Sequence, residues 1–244
     1  MGAAATNYPV VLDPKAYAGI PLVGEDDQPM DTPWHRDCMT LLIALVAYHN
    51  RTRNDYYVGG NNFIYFNPDQ ARNRDYRGPD FFYIKDGVDR GRERLYWAVW
   101  EEGGRLPDVV IELLSPSTED EDRTTKYAIY EQTLRTPEYF LYDPLTRVLE
   151  GFRLVGGAYQ PLEPNDRGWL WSDELGLWLG LWEGYYILSR ATWLRLFTRE
   201  GELVLLADED ERRRADSAER EVERLKALLA QQTNQAGKGN GAKS

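Results

Sequence analysis

Cysteine and histidine are scarce in this sequence, which contains one cysteine and two histidines. The single Cys38 cannot form an intramolecular disulfide, and such low cysteine usage is typical of a reducing compartment. So few sulfur and imidazole ligands disfavour a zinc centre. The composition still allows a hard metal ion that is held by oxygen ligands.

Long apolar runs and an excess of basic residues are also missing. No segment approaches the ~18 consecutive apolar residues of a membrane-spanning helix, so we expect a cytoplasmic protein without a membrane partner. The 29 Lys and Arg residues stand against 40 Asp and Glu residues, which gives a formal net charge of −11. This balance argues against a generally basic nucleic-acid binder but is compatible with a local basic cleft. Phosphate-loop, nucleophile-elbow and HExxH metalloprotease motifs do not occur.

The residues that are present indicate a globular protein, since 42% of them are hydrophobic and 13% are aromatic. Over 244 residues we expect one main domain, at residues 32–206. An arm at residues 1–31 is predicted to pack on it, and a helix at residues 207–231 precedes a flexible tail at residues 232–244. Within the main domain, strands are predicted at residues 57–66, 81–84, 95–101 and 137–144, with a hairpin at 147–162 and short strands at 169–206.

The stretch at residues 107–118 is the centre of the predicted fold. Its apolar run at residues 109–114 lies between two prolines, and this pattern predicts a strand that is buried on both faces. A side-chain period of two places Glu112 on the same face as Asp108 and Leu114. A buried ionised glutamate costs several kcal/mol unless a metal ion, a cation or hydrogen-bond donors compensate it. Glu112 therefore needs a partner.

A second carboxylate lies in a similar setting. Asp80 follows Pro79 and opens the predicted strand at residues 81–84. Acids that enter adjacent strands of one sheet can converge, and converging carboxylates bind Mg²⁺ because the ion lowers the cost of keeping both ionised. Asp108 is a candidate for a third oxygen ligand, and its alternative role is to cap a turn or face solvent.

A helix is predicted directly after the Glu112 strand, and it carries Lys126. A lysine there can orient or deprotonate a water molecule, or neutralise charge on a phosphate oxygen. The alternative is an ordinary i,i+4 ion pair with Asp122, which contributes a few tenths of a kcal/mol. Since another strand follows, we expect a right-handed strand–helix–strand crossover. A first helix is predicted from Pro33 to His49, and His35 in its first turn is interpreted as structural rather than catalytic.

The order of these motifs resembles a known family. The chain is similar to the Uma-type putative restriction endonucleases, which belong to the PD-(D/E)XK nuclease superfamily. The resemblance covers roughly residues 30–205. It depends on RGPD at 77–80, PDVVIELLSPST at 107–118, Asp122, Lys126, Tyr130, and PEYFLYDP at 137–144.

The resemblance implies a restriction-endonuclease-like core of the α/β (α+β) class, in which helices flank a mixed β-sheet. It further implies that Asp80 and Glu112 bind Mg²⁺ or Mn²⁺, that Lys126 assists catalysis, and that the substrate is a DNA phosphodiester. One position departs from the superfamily pattern, because this chain has Leu114 where a lysine is expected. The family's usual replacement is a lysine from the following helix, which here falls on Lys126.

Several basic and aromatic residues near the Asp80 strand are candidates for DNA contacts. The arginines are alternatively ordinary solvated loop residues. Tyr76 is a candidate for base stacking, whereas Tyr83 is expected to pack in the core. The arginines are Arg72, Arg74, Arg77, Arg90, Arg92 and Arg94.

The C-terminal helix carries an apolar stripe with spacings of three and four residues, which is typical of a short heptad pattern. The stripe predicts either a homodimer through a coiled coil or a solitary exposed helix. Its members are Ala215, Ala218, Val222, Leu225 and Leu229.

Three functions agree with these observations. The first is a Mg²⁺-dependent DNA endonuclease. The second is a catalytically silent nuclease-fold scaffold or regulator that acts through its C-terminal helix, which the acidic net charge and Leu114 favour. The third is a metal-dependent hydrolase that acts on a different substrate.

Overall fold

The fold is described from a computed structural model, over residues 8–24, 32–73 and 78–239, with side chains to residue 230. The chain divides into two compact units, residues 1–204 and residues 205–244. Arg74, Tyr76 and Arg77, which were predicted to contact DNA, lie outside the described residues.

The strands in chain order are β1 (Tyr57–Gly59), β2 (Ile64–Tyr65), β3 (Phe81–Ile84), β4 (Trp97–Ala98), β5 (Val109–Leu113), β6 (Glu138–Asp143), β7 (Val148–Val155), β8 (Ala158–Pro161), β9 (Leu170–Ser172), β10 (Leu177–Tyr186) and β11 (Ser189–Phe197).

Helices of different length and geometry accompany these strands. The N-cap of the helix Pro33–His49 is Thr32, whose side chain accepts a hydrogen bond from the N–H of His35. The helix that follows β5 begins with α-helical hydrogen bonding and then widens to π-type hydrogen bonding in two segments. Such widening is frequent at functional sites. The helices are α1 (Pro33–His49), α2 (Pro68–Arg72), α3 (Glu119–Glu121, continued by Asp122–Lys126 and Ile129–Thr133) and α4 (Ala207–Gly239), and a 3₁₀ turn spans Pro14–Tyr17.

A mixed six-stranded sheet forms the centre of the larger unit, in the order β1-β3-β5-β6-β7-β8. Strands β5 and β6 are parallel, and every other neighbouring pair in this sheet is antiparallel. Parallel neighbours need a crossover connection, which α3 supplies. Helix α1 contacts β1 and β3. The predicted mixed sheet with flanking helices and a C-terminal helix is confirmed.

Both faces of β5 are buried, as its apolar run predicts. Val110 and Leu114, which share a face with Glu112, belong to one hydrophobic cluster with Ile129, Tyr130 and other side chains of α3 and β6. Helix α3 therefore covers the face of the sheet that carries Glu112.

The predicted strand at residues 57–66 is divided in the structure. Strand β1 joins the main sheet, whereas β2 pairs in parallel with β4 in a separate two-stranded sheet. The chain turns between them, where Asn61 adopts a left-handed φ of 55°. The predicted strand at residues 95–101 is likewise reduced to Trp97–Ala98.

The region at residues 169–206 forms longer strands than we predicted. Strands β10 and β11 contain 10 and 9 residues, and they form a three-stranded antiparallel sheet with β9. Helix α2 was not predicted, although Asn67 and Pro68 are a typical N-cap and first helical residue.

The two ends of the described chain differ in structure. Near the N-terminus, the N–H of Val11 donates to the carbonyl of Phe66, and Tyr17 stacks on Trp100. At the other end, α4 continues to Gly239, so residues 232–239 are helical where a flexible tail was predicted. No helix within the described ranges is long and apolar enough to span a membrane.

Candidate active site

Asp80 and Glu112 face each other across two neighbouring antiparallel strands. Because Phe81 of β3 is opposite Ile111 of β5, the register places Asp80 opposite Glu112. The N–H of Asp80 donates to Glu112 Oε2 over 3.1 Å, and the N–H of Leu113 donates to Asp80 Oδ2 over 2.7 Å. The structure therefore brings together the two acids that the sequence predicts to converge.

Helix α3 adds a cation to this pair of acids. The ammonium of Lys126 lies 3.1 Å from Glu112 Oε1 and 2.7 Å from Asp122 Oδ1. Asp122, Lys126 and Tyr130 are four residues apart, so they share one helix face. The hydroxyl of Tyr130 donates to Glu112 Oε1 over 2.9 Å. Lys126 thus pairs both with Asp122 and with the predicted catalytic glutamate.

His35 is a site residue that the sequence interpretation set aside. Its Nε2 lies 2.7 Å from Asp80 Oδ1, and its side chain is almost completely buried. Thr32 fixes the first turn of α1 by accepting the N–H of His35. The sequence places His35 in this turn, but only the approach of α1 to β3 shows that the imidazole contacts Asp80.

Burial dominates the electrostatics of the site. It raises the pKa of Glu112 to about 8, although the Lys126 ammonium lowers it, and Asp122 and Asp80 raise it further. Burial also raises the pKa of Asp122, against the influence of Lys126. Burial is therefore the main cause of both raised pKa values, and Lys126 offsets only part of it.

Burial alone lowers the pKa of Lys126, but Glu112, Asp122 and Asp80 outweigh it and raise that pKa above its ordinary value. Lys126 is therefore a protonated cation at neutral pH. Of the roles considered from the sequence, neutralising a phosphate oxygen and orienting a water suit this state, whereas deprotonating a water does not.

The remaining sequence candidates occupy other surroundings. Asp108 accepts the N–H of Lys85 over 2.8 Å at the opposite end of β5 from Glu112, so it caps a turn and is not a third ligand. Leu114 is buried in the cluster beneath α3. No lysine is needed at its position to reach Glu112, because Lys126 already contacts that carboxylate.

The described arginines near β3 are largely engaged in local pairs. Arg72 pairs with Asp69 and Arg92 with Glu101. Arg94 is buried against Glu102, which excludes it from the predicted DNA contacts. Tyr83 packs in the core as expected. Arg90 lies 5.0 Å over the ring of Tyr56.

The chemistry of the pair suits a hard divalent ion. Among the residues that the structure describes, no group of three or more His, Cys, Asp or Glu side chains is arranged to hold a metal ion. Mg²⁺ usually needs only one or two protein carboxylates, since water completes its shell. Burial raises the pKa of Glu112 first, Asp122 and Asp80 add to it, and a bound cation would favour the ionised carboxylate. Asp80 and Glu112 therefore fit Mg²⁺ or Mn²⁺ but do not form a closed protein cage.

Comparisons with known proteins agree with the predicted family. The model of the Uma2 family, described as putative restriction endonuclease, matches residues 24–192. A solved structure of a putative nuclease belonging to DUF820 from Anabaena variabilis is 14% identical, with 61% of this chain and 76% of that chain covered and a TM-score of 0.44. No curated protein matches the chain. Because the family model spans most of the chain, this protein belongs to the Uma2 family of putative restriction endonucleases.

Proposed function

We propose that this protein is a Mg²⁺- or Mn²⁺-dependent endonuclease that hydrolyses DNA phosphodiester bonds. Membership of the Uma2 family supports a nuclease function. One observation carries the finer assignment: the N–H of Asp80 donates to the Glu112 carboxylate, the N–H of Leu113 donates to the Asp80 carboxylate, and Lys126 lies 3.1 Å from Glu112. Two acids that can hold a divalent ion and a protonated lysine that can stabilise phosphate charge are able to support phosphodiester hydrolysis.

Asp80 and Glu112 are the proposed metal ligands. A bound divalent ion supplies Lewis-acid activation of the phosphate and of the attacking water. The backbone N–H groups of Asp80 and Leu113 fix one oxygen of each carboxylate. The two acids are thereby oriented before the substrate arrives, which lowers the reorganisation that the reaction needs.

Lys126 is the proposed electrostatic catalyst. Its positive charge stabilises negative charge on phosphate oxygens in the transition state. Tyr130 and His35 are positioning residues, because Tyr130 donates to Glu112 and His35 contacts Asp80. Each therefore holds one of the two acids in place.

The test is nicking of supercoiled plasmid and cleavage of single-stranded DNA with Mg²⁺ or Mn²⁺, with a chelator as the blank. We expect Asp80→Asn and Glu112→Gln to abolish cleavage, and Lys126→Ala to reduce it at least ~100-fold. Glu183→Gln is the matched control, since that carboxylate is exposed and pairs with Arg147. Cleavage that survives in both acid variants would overturn the assignment.

A catalytically silent scaffold is the second candidate. It is favoured by one observation, namely that every carboxylate oxygen of Asp80 and Glu112 already has a hydrogen-bond donor or a basic side chain beside it. This candidate predicts no cleavage by the parent protein on any DNA substrate with any divalent metal.

A further inference from the structure

The surface of α4 carries a continuous apolar stripe. Val222, Leu225 and Leu229 expose 48%, 47% and 63% of their surface, and Ala215 and Ala218 on the same stripe are also exposed. The helix extends over 33 residues. A contiguous row of exposed aliphatic side chains on a soluble helix indicates a binding surface.

The stripe fits one heptad register. Positions a are Ala215, Val222 and Leu229, and positions d are Ala218 and Leu225. A β-branched residue at a with leucine at d favours two-stranded parallel coiled coils. Val222 and Leu225 follow this rule at the centre of the stripe.

The charges beside the stripe match the same register. Arg214 and Glu221 occupy g positions, and Glu219 and Lys226 occupy the e positions that follow them. In a parallel in-register pair, each g side chain faces the e side chain of the next heptad in the partner. The pairs would be Arg214 with Glu219 and Glu221 with Lys226, and both join opposite charges.

We propose that α4 binds α4 of a second copy of this chain as a parallel, in-register coiled coil. Within one helix, Glu221 pairs with Arg224 and Lys226 pairs with Glu223. Such exposed pairs contribute little to stability, so exchanging them for contacts between chains costs little. The apolar seam includes two alanines, so the dimer dissociates on dilution.

This arrangement has a consequence that rests on the proposed nuclease function. In a parallel pair both helices begin at the same end, and each is preceded in its chain by a larger unit that contains one Asp80–Glu112 pair. A dimer would therefore contain two such pairs, one for each strand of a duplex. Dimerisation itself is measured without DNA, so its failure is distinguishable from failure of the nuclease proposal.

The test is sedimentation equilibrium of the full chain over a concentration series. We expect a mass approaching twice the 28.2 kDa of one chain. Glu221→Lys and Lys226→Glu each place like charges across the seam, and each should raise the dimer dissociation constant at least ~10-fold. The double exchange, Glu221→Lys with Lys226→Glu, should restore the parent value.

Arg220→Glu is the matched control, because it makes the same charge change as Lys226→Glu at position f, on the outside of the helix, and it should leave the dimer intact. Leu225→Cys tests orientation, since only a parallel in-register pair brings two copies of position 225 together for oxidation to a disulfide. The native Cys38 is fully buried and therefore does not compete in this oxidation. A parent that is monomeric at every concentration, a dimer indifferent to both single exchanges, or a dimer that Leu225→Cys does not cross-link would overturn the proposal.

Discussion

Asp80 and Glu112 hold each other's strands in place. The N–H of Asp80 donates to the Glu112 carboxylate, and the Asp80 carboxylate accepts the N–H of Leu113, the residue that follows Glu112. Because the backbone register of β3 and β5 sets this relationship, the two acids are positioned by the sheet itself. Helices supply the side chains that contact the two acids. Lys126 and Tyr130 of α3 contact Glu112, and His35 of α1 contacts Asp80.

Above pH 8, replacing Lys126 with methionine should destabilise the protein by about 3–5 kcal/mol, because it leaves two buried ionised carboxylates without their cation. The loss should shrink at lower pH, where Glu112 and then Asp122 take up protons. Denaturant unfolding at two pH values measures both effects. Arg123→Met is the control, since Arg123 pairs with Glu119 and Glu150, which are both partly exposed, and the change should alter stability by less than about 1 kcal/mol. Equal losses for the two variants would be inconsistent with a buried Lys126 cluster.

The convergence of Asp80 and Glu112 could be predicted from the sequence, because it follows from two strands with a period of two. The charge state of Lys126 could not, since it depends on how many acids surround one buried ammonium. Nor could the contact between His35 and Asp80, which needs the approach of a helix that is distant in sequence. The division between β1 and β2 was missed because β propensity was strong on both sides of the turn.

Tyr130→Phe should reduce DNA cleavage and move the acidic limb of its pH profile to higher pH. The substitution keeps the buried ring but removes a donor to ionised Glu112, and loss of such a donor raises the pKa of the carboxyl further. The control is Tyr159→Phe, which removes a buried hydroxyl that donates to the carbonyl of Thr136, away from the acids. Both variants should lose about 1–3 kcal/mol of stability. A pH profile that moves equally in both would show that the Tyr130 hydroxyl has no specific role.

The two histidines provide a matched comparison. His35→Ala should lower cleavage about 10–100-fold, as expected when a side chain that orients a metal ligand is removed. His49→Ala, at the end of α1, should leave cleavage unchanged. The measurement is the initial rate of plasmid nicking at saturating Mn²⁺. If His49→Ala lost as much activity as His35→Ala, a general effect on α1 would be the better explanation.

Gly60 lies directly against the backbone of Asp80. A Cβ atom at Gly60 would be 2.2 Å from the carbonyl oxygen of Asp80 and 2.8 Å from Met39 Cγ. Gly60→Ala should therefore displace Asp80, cost about 1–3 kcal/mol of stability and reduce cleavage. Gly91→Ala, where the nearest atom is a flexible aspartate oxygen at 3.3 Å, is the control for both measurements. A fully active, equally stable Gly60→Ala would show that Asp80 tolerates displacement.

The pH dependence of stability tests the charge on Glu112. Its pKa rises from 4.5 to about 8 on folding, so the folded protein binds this proton more tightly than the unfolded chain. The cost of ionising Glu112 is absent below pH 4.5, grows between the two values and is complete above pH 8. Glu112→Gln removes this cost and keeps Asp122 beside Lys126, so its stability relative to the parent should increase as pH rises through this window.

The most direct measurement of the central claim is therefore the melting temperature of the parent, Glu112→Gln and Asp80→Asn above pH 8, with and without Mn²⁺. We expect Glu112→Gln to melt higher than the parent in the absence of metal. Mn²⁺ should then raise the melting temperature of the parent alone, by mass action worth about 2.7 kcal/mol at 100 times the dissociation constant. Acid variants that respond to Mn²⁺ as the parent does, or a parent that does not respond at all, would contradict a metal site formed by Asp80 and Glu112.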